Sequence, residues 1–219
     1  MRKTAPSRFC FSRNGSRWQR FAAIAAGLLL LLGFTAFSRA QDEEQVPSLW
    51  IAGAYSFSDE LGGFTIRSVS GTGRKNDPVI IVEEFASSSP ITLVIRAIRP
   101  VRAFDNSGLY ANGMIYMRIV TINGSGQPWM EFEFELQEIL GVPSLFGDGL
   151  SFDQRSTDSK TSSADSFAEF SRDFEPYDRL LYRNGKVDPG ESAGFSFLIT
   201  DFTPNRQFYI VQDPRIPSS

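Results

Sequence analysis

PWMEFEFELQEI, residues 128–139, alternates Met130, Phe132, Phe134 and Leu136 with Glu131, Glu133 and Glu135. A period of two places the apolar set on one face and the carboxylates on the other, the pattern of a half-buried β-strand. With a rise of about 3.4 Å per residue, successive carboxylates stand about 7 Å apart. That spacing suits a pair of glycosidase carboxylates, but such pairs usually come from different strands around a cleft. The three glutamates are therefore read as a solvated face without a chemical role.

The segment upstream, MIYMRIVTI (114–122), alternates in the same way, with Ile115, Met117 and Ile119 opposite in parity to Tyr116, Arg118 and Val120. NGSGQP between the two reads as a hairpin loop. Placing Ile122 opposite Trp129 would pair Ile119 with Phe132, Met117 with Phe134 and Ile115 with Leu136. Arg118 would then face Glu133 and Tyr116 would face Glu135. A slip of one residue would set the phenylalanines against the polar face, so burial fixes the parity.

Working outward, LWIAGAYSF (49–57), GFTIRSV (63–69), PVIIVEEF (78–85), ITLVIRAI (91–98) and GFSFLIT (194–200) are further β-branched or aromatic runs. Turn signals separate them: Gly62-Gly63, SGTGRKNDP, SSSP, Asn112-Gly113, GDG, Asn184-Gly185 and DPG. The spacing predicts an all-β, antiparallel β-sandwich of jelly-roll or immunoglobulin-like type, with the 20 phenylalanines filling the space between sheets. Phe167, Phe170 and Phe174 recur at helical spacing behind Ser166 and Glu169, a capping-box pattern, and predict one short helix covering the core.

The front end reads as an export signal. Arg2, Lys3, Arg8, Arg13, Arg17 and Arg20 precede FAAIAAGLLLLLGFTAF (21–37), and Ser38-Arg39-Ala40 offers small residues for a cut before Gln41. The expected organisation is a signal helix over 1–40, an acidic linker over 41–48, one sandwich domain over 49–214 and a tail over 215–219. The alternative is an uncleaved anchor, in which residues 21–37 alone meet the membrane. Seven of the 22 basic residues and none of the 25 acidic ones fall in 1–40, so the remainder carries 15 against 25, a net charge of −10. Nucleic acid is thereby an unsuitable partner.

The chain has no histidine, and its one cysteine, Cys10, precedes the apolar run. Ser-His-Asp and Cys-His catalysis and thiolate zinc sites are excluded, and no disulfide can form in the domain. Asp148, Asp153, Asp158 and Asp165 could supply oxygen ligands to calcium, but their spacing matches no calcium loop, and they read as solvated. Ser156, Ser159 and Lys160 lack the S-x-x-K spacing. Asn14 and Asn123 begin N-x-S sequons, the first within the signal and the second within a turn. No catalytic residue, metal ligand or cofactor is assigned. Trp50, Trp129, Tyr110 and Tyr116 could stack on sugar rings if one sheet face gathered them. Trp at a strand start otherwise joins the core.

Residues 129–199 resemble the C-terminal part of bacterial exported β-sandwich proteins of the PEP-CTERM type. The resemblance rests on the aromatic strand WMEFEFEL, then Phe152, then Asp178-Arg179-Leu180 followed by DPGESAGFSFLITD. The closing FYIVQDPRIPSS has neither a Pro-Glu-Pro motif nor an apolar helix with a basic tail. The resemblance implies an extracellular or envelope-associated module and carries over no functional residue. The expectation is thus an exported, periplasmic or extracellular, non-enzymatic module of the envelope or extracellular matrix, structural or ligand-binding, whose partner is an envelope or extracellular component such as a glycan. The alternative is a glycan-active protein, either a carbohydrate-binding module or a hydrolase using a carboxylate pair.

Overall fold

The computed structural model describes residues 49–153, 161–173 and 178–217. The signal and acidic linker, Ser156, Asp158, Ser159, Lys160 and Phe174 lie outside the described residues. In chain order the strands are β1 (Trp50–Ala52), β2 (Tyr55–Ser58), β3 (Phe64–Ser70), β4 (Val79–Phe85), β5 (Ile91–Ala97), β6 (Met114–Asn123) and β7 (Glu131–Gln137). They continue as β8 (Leu150–Phe152), β9 (Ser163–Ala164), β10 (Phe167–Asp173), β11 (Arg179–Gly185), β12 (Ser192–Asp201) and β13 (Gln207–Arg215). One seven-stranded sheet has the order β1-β2-β5-β13-β7-β11-β10, and the other has the order β3-β4-β6-β12-β8, with β9 against β12. The architecture is a β-sandwich.

Its pairings are antiparallel except for β4 with β6, which run parallel from Val79↔Met117 to Phe85↔Asn123. The chain leaves the second sheet after β4, runs back through the first sheet as β5 and re-enters as β6. Two strands of one sheet joined by such an arch point the same way, so one parallel pair sits within the otherwise antiparallel sandwich.

The alternation of β7 holds: Phe132, Phe134 and Leu136 are fully buried. Its partner is not the expected one. β6 lies between β4 and β12 in one sheet, whereas β7 lies between β13 and β11 in the other. Residues 124–130 therefore cross from sheet to sheet instead of closing a hairpin. Asn123 holds the crossing, donating from Nδ2 to the Gln127 carbonyl at 2.8 Å and to the Val187 carbonyl at 3.0 Å. Trp129 donates its indole N–H to Ser125 Oγ at 3.2 Å. The apolar faces of β6 and β7 both point inward across the sandwich, so their parity is satisfied without pairing.

The interior is aromatic. Phe132 of the first sheet packs on Phe195 of the second with ring centroids 4.6 Å apart. Phe134 lies 5.0 Å from both Phe195 and Phe197. Trp129 and Phe85 close one end of the row at 5.5 Å, and Phe152 meets Phe197 at 5.4 Å. Tilted and edge-on arrangements of this kind add attraction between ring faces and edges to the burial itself.

The helix expected over Phe167, Phe170 and Phe174 is replaced by strand β10, which pairs with β11 from Phe167↔Gly185 to Asp173↔Arg179. Ser166 and Glu169 form no capping box: Ser166 Oγ reaches Asp165 Oδ1 at 3.2 Å, and Glu169 sits in the strand opposite Arg183. Among the described residues there is no α-helix, and 3-10 structure is limited to Phe146–Asp148 and Thr161. An isolated phenylalanine spacing of three cannot outweigh the ladder hydrogen bonds that β11 offers.

The solvated glutamate face is also corrected. β7 is flanked on both sides, so its outward side chains are shaded by those of β11 and β13. Glu135 is buried, and Glu133 and Glu131 are half-buried. Arg179 donates from Nε to Glu135 at 2.7 Å and Arg215 from Nη2 to Glu133 at 2.6 Å. Burial still holds the Glu133 carboxyl above its usual range, with Arg215 and Arg179 opposing the shift. Arg118 belongs to the other sheet and pairs with Asp165 at 3.1 Å.

Phe134→Ala should cost about 3–5 kcal/mol in urea denaturation, because it opens a cavity where four rings converge. A loss below about 1 kcal/mol would contradict the packing described.

Candidate functional site

Among the described residues, five connections gather at one end of the sandwich: β1–β2, β3–β4, β5–β6, β7–β8 and β12–β13. The first three enclose a cleft of about 580 Å³. Its lining includes Arg74 and Lys75 from β3–β4, Arg99, Asn106, Tyr110 and Asn112 from β5–β6, and Tyr116 from the start of β6. Clefts that take small molecules typically measure about 300–1,000 Å³, and this one falls within that range.

The walls are built by backbone hydrogen bonds. Arg74 and Asp77 exchange two, at 3.1 and 2.9 Å, so that Lys75 and Asn76 form the tip of a tight turn. Tyr116 N–H donates to the Gly73 carbonyl at 3.0 Å and ties that turn to β6. Across the cleft, Ala111 N–H donates to Pro100 O and Arg102 N–H to Ala111 O, each at 3.0 Å, closing residues 98–113 into a compact loop. The Arg99 guanidinium donates to the Gly108 carbonyl within it. Phe104 takes a left-handed backbone, φ 62°, uncommon for an aromatic residue, and stacks its ring 5.5 Å from Phe202 of β12–β13.

At the base of this loop, Gly113 has φ 76°, and a Cβ there would run into the Asp201 carbonyl. Its N–H donates to the Tyr55 hydroxyl at 3.2 Å, and burial pushes that phenol up to about 12, so it stays neutral. The loop is thereby anchored on both sheets.

The cleft is locally cationic. Arg74, Lys75 and Arg99 are exposed, and among the described residues none of them forms an ion pair. The one carboxylate on the lining, Asp105, accepts from Ser107 N–H at 2.9 Å and lies 3.6 Å from Arg102. Those hydrogen bonds from Ser107, with Arg102 beside them, hold its carboxyl below the usual range. Arg102 also stands 5.3 Å over the Tyr110 ring, a cation–π contact.

The same end carries Glu138, Asp148 and Asp201 on the β7–β8 and β12–β13 side. Burial, with Asp148 nearby, raises the Glu138 and Asp201 carboxyls. Each is engaged in shaping a turn. Asp148 accepts from the N–H groups of Leu145 at 2.8 Å and Leu150 at 3.0 Å, Asp201 from Thr203 N–H at 3.0 Å, and Glu138 from the Asn205 amide at 3.0 Å.

Of the residues singled out in the sequence, the cleft gathers Tyr110 and Tyr116. Trp129 is fully buried and Trp50 packs against the core. Asp153 and Asp165 lie apart from Asp148: Asp153 accepts from Thr161, and Asp165 from Gly194 N–H at 2.7 Å. Among the described residues no group of three acids could hold a metal ion. Arg74, Lys75 and Arg99 went unread because SGTGRKNDP and the segment after β5 register only as turns. No family model, curated protein or solved structure matches the chain.

One buried group was legible and was missed. In PVIIVEEF, Glu83 shares the inward parity of Val79, Ile81 and Phe85, and it is fully buried between the sheets. It accepts from Thr121 Oγ1 at 3.0 Å and from Gln212 Nε2 at 3.2 Å, while Gln212 Oε1 has no partner. Burial pushes the carboxyl up to about 8, and the charge of Asp59 adds to the shift. Turning the Gln212 amide over would let its oxygen accept the proton of a neutral Glu83.

Because the folded protein keeps a proton that the unfolded chain releases near the usual carboxylate value, this group's contribution is present at low pH. It is lost as pH rises through about 8. Glu83→Gln mimics the neutral form, so its stability relative to wild type should improve steadily from pH 5 to pH 8.5 by about 1 kcal/mol or more. A difference independent of pH would mean that Glu83 is ionised in the fold.

Proposed function

We propose that the chain is an exported, non-enzymatic β-sandwich module that binds a ligand in the cleft between the β1–β2, β3–β4 and β5–β6 connections. The observation that carries this reading is the preformed concavity of about 580 Å³, walled by hydrogen-bonded turns and lined by Tyr55, Tyr110, Tyr116 and three cations that form no ion pair among the described residues. Loops set on a rigid sandwich are a common seat of binding. The segment over residues 1–40 supports export, with a mature terminus at or near Gln41 as the expected outcome. Binding is favoured over hydrolysis because the carboxylates at this end are committed to their own turns.

The test is a screen of the protein against a glycan array and cell-envelope fractions, run beside Tyr116→Ala. Retention that falls at least about fivefold in the variant, with its melting temperature unchanged, supports the reading. No retention, or retention indifferent to Tyr116, contradicts it. Recovery of the protein with its N-terminus at residue 1 in the membrane fraction would contradict cleavage and favour the anchor.

A further inference from the structure

We infer that the cleft takes a carboxylate-bearing sugar, a uronic acid unit within an acidic saccharide. This inference rests on the binding reading above and names its ligand class.

Charge is the first argument. The chain beyond residue 40 carries a net charge of −10, which on balance opposes the approach of anions. Arg74, Lys75 and Arg99 nevertheless converge on one concavity from two separate connections. The only acid on the lining, Asp105, is already occupied by Ser107 and Arg102. Keeping like charges together without partners is unfavourable, and an incoming anion relieves it. A planar guanidinium such as that of Arg74 can meet a carboxylate with two parallel hydrogen bonds. Arg99 has one donor spent on Gly108 O and others left over.

Lining chemistry is the second argument. A bare anion site needs donors alone, yet this one adds Tyr110 and Tyr116 with the amide-bearing Asn106, while the Asn112 amide is spent on the Asp105 carbonyl and Met114 N–H. Tyrosine offers an apolar ring face together with a hydroxyl, and asparagine both donates and accepts. That combination matches a pyranose, which presents C–H faces and a ring of hydroxyls. Nucleic acid fits poorly, since its binding rests on a basic patch or stripe along the backbone, whereas the cations here meet at one small concavity. The volume of about 580 Å³ holds one or two sugar units, so recognition is of a short stretch or chain end.

The experiment titrates the full protein by calorimetry with a galacturonate trimer, a neutral glucose trimer and a glutamate trimer, at low and high salt. Binding of the galacturonate trimer at least about tenfold tighter than either control, and weakened by salt, is the expected result. The Arg74→Gln/Lys75→Gln variant, changed at two exposed positions, should weaken it about tenfold or more, and Tyr116→Ala should do the same, both with unchanged melting temperature. Equal binding of the glucose trimer that Tyr116→Ala abolishes would overturn the acidic class while leaving the cleft as the binding site. Equal binding of the glutamate trimer would reduce the cleft to an anion site and overturn the sugar. No binding of any trimer would also overturn the sugar class, and the array screen with Tyr116→Ala then decides separately whether the cleft binds at all.

Discussion

Phe132 and Phe134 of β7 interlock with Phe195 and Phe197 of β12, and the rest of the fold depends on that contact. Each strand lies in the interior of its own sheet, so fixing the two against each other fixes both sheets. β12 pairs with β6 over nine residue pairs and β7 with β13 over seven. The registers therefore spread outward from the aromatic row through backbone ladders. Rings are suited to this role, because large rigid side chains bury much area at little cost in rotamer freedom.

That packing also explains why the cleft sits at one end. The faces between the sheets are filled, and the outer face of the seven-stranded sheet is laced by Arg179 and Arg215 to Glu131, Glu133 and Glu135. The connections near β3–β4 and β5–β6 are free to form a concavity because the parallel β4–β6 pair sets their ends side by side. A purely antiparallel meander would send alternate turns to opposite ends. The cations of residues 74–75 and 99 meet only because β5 visits the other sheet between β4 and β6.

Strand existence was legible in the sequence wherever the period of two ran for seven residues or so, as in β4, β6 and β7. Strand partners were not. Inward parity is the same whether two strands pair side by side or face each other across a core, so PWMEFEFELQEI supported a hairpin with MIYMRIVTI as well as it supports a sandwich. β10 was misread because Phe167, Phe170 and Phe174 satisfy a helical template and its edge position weakens the alternation. β11 and β13 went unnoticed since Arg179, Arg183, Asp213 and Pro214 interrupt their apolar pattern. Of the cleft, Tyr110 and Tyr116 were visible as aromatic candidates. The three cations were not, since only the topology brings distant turns together.

The most direct test of the account is the pattern of backbone proton contacts made by β7 in solution. Nuclear Overhauser effects are expected from Glu135 to Val211 and Arg179, and from Glu133 to Asp213 and Leu181, the neighbours of β7 on either side. The side chains of Phe132 and Phe195 should show contacts without any backbone contact between their strands. Backbone effects joining Ile119 to Phe132 and Met117 to Phe134 would instead mean that β6 and β7 form a hairpin, and would contradict the two-sheet arrangement on which the cleft depends.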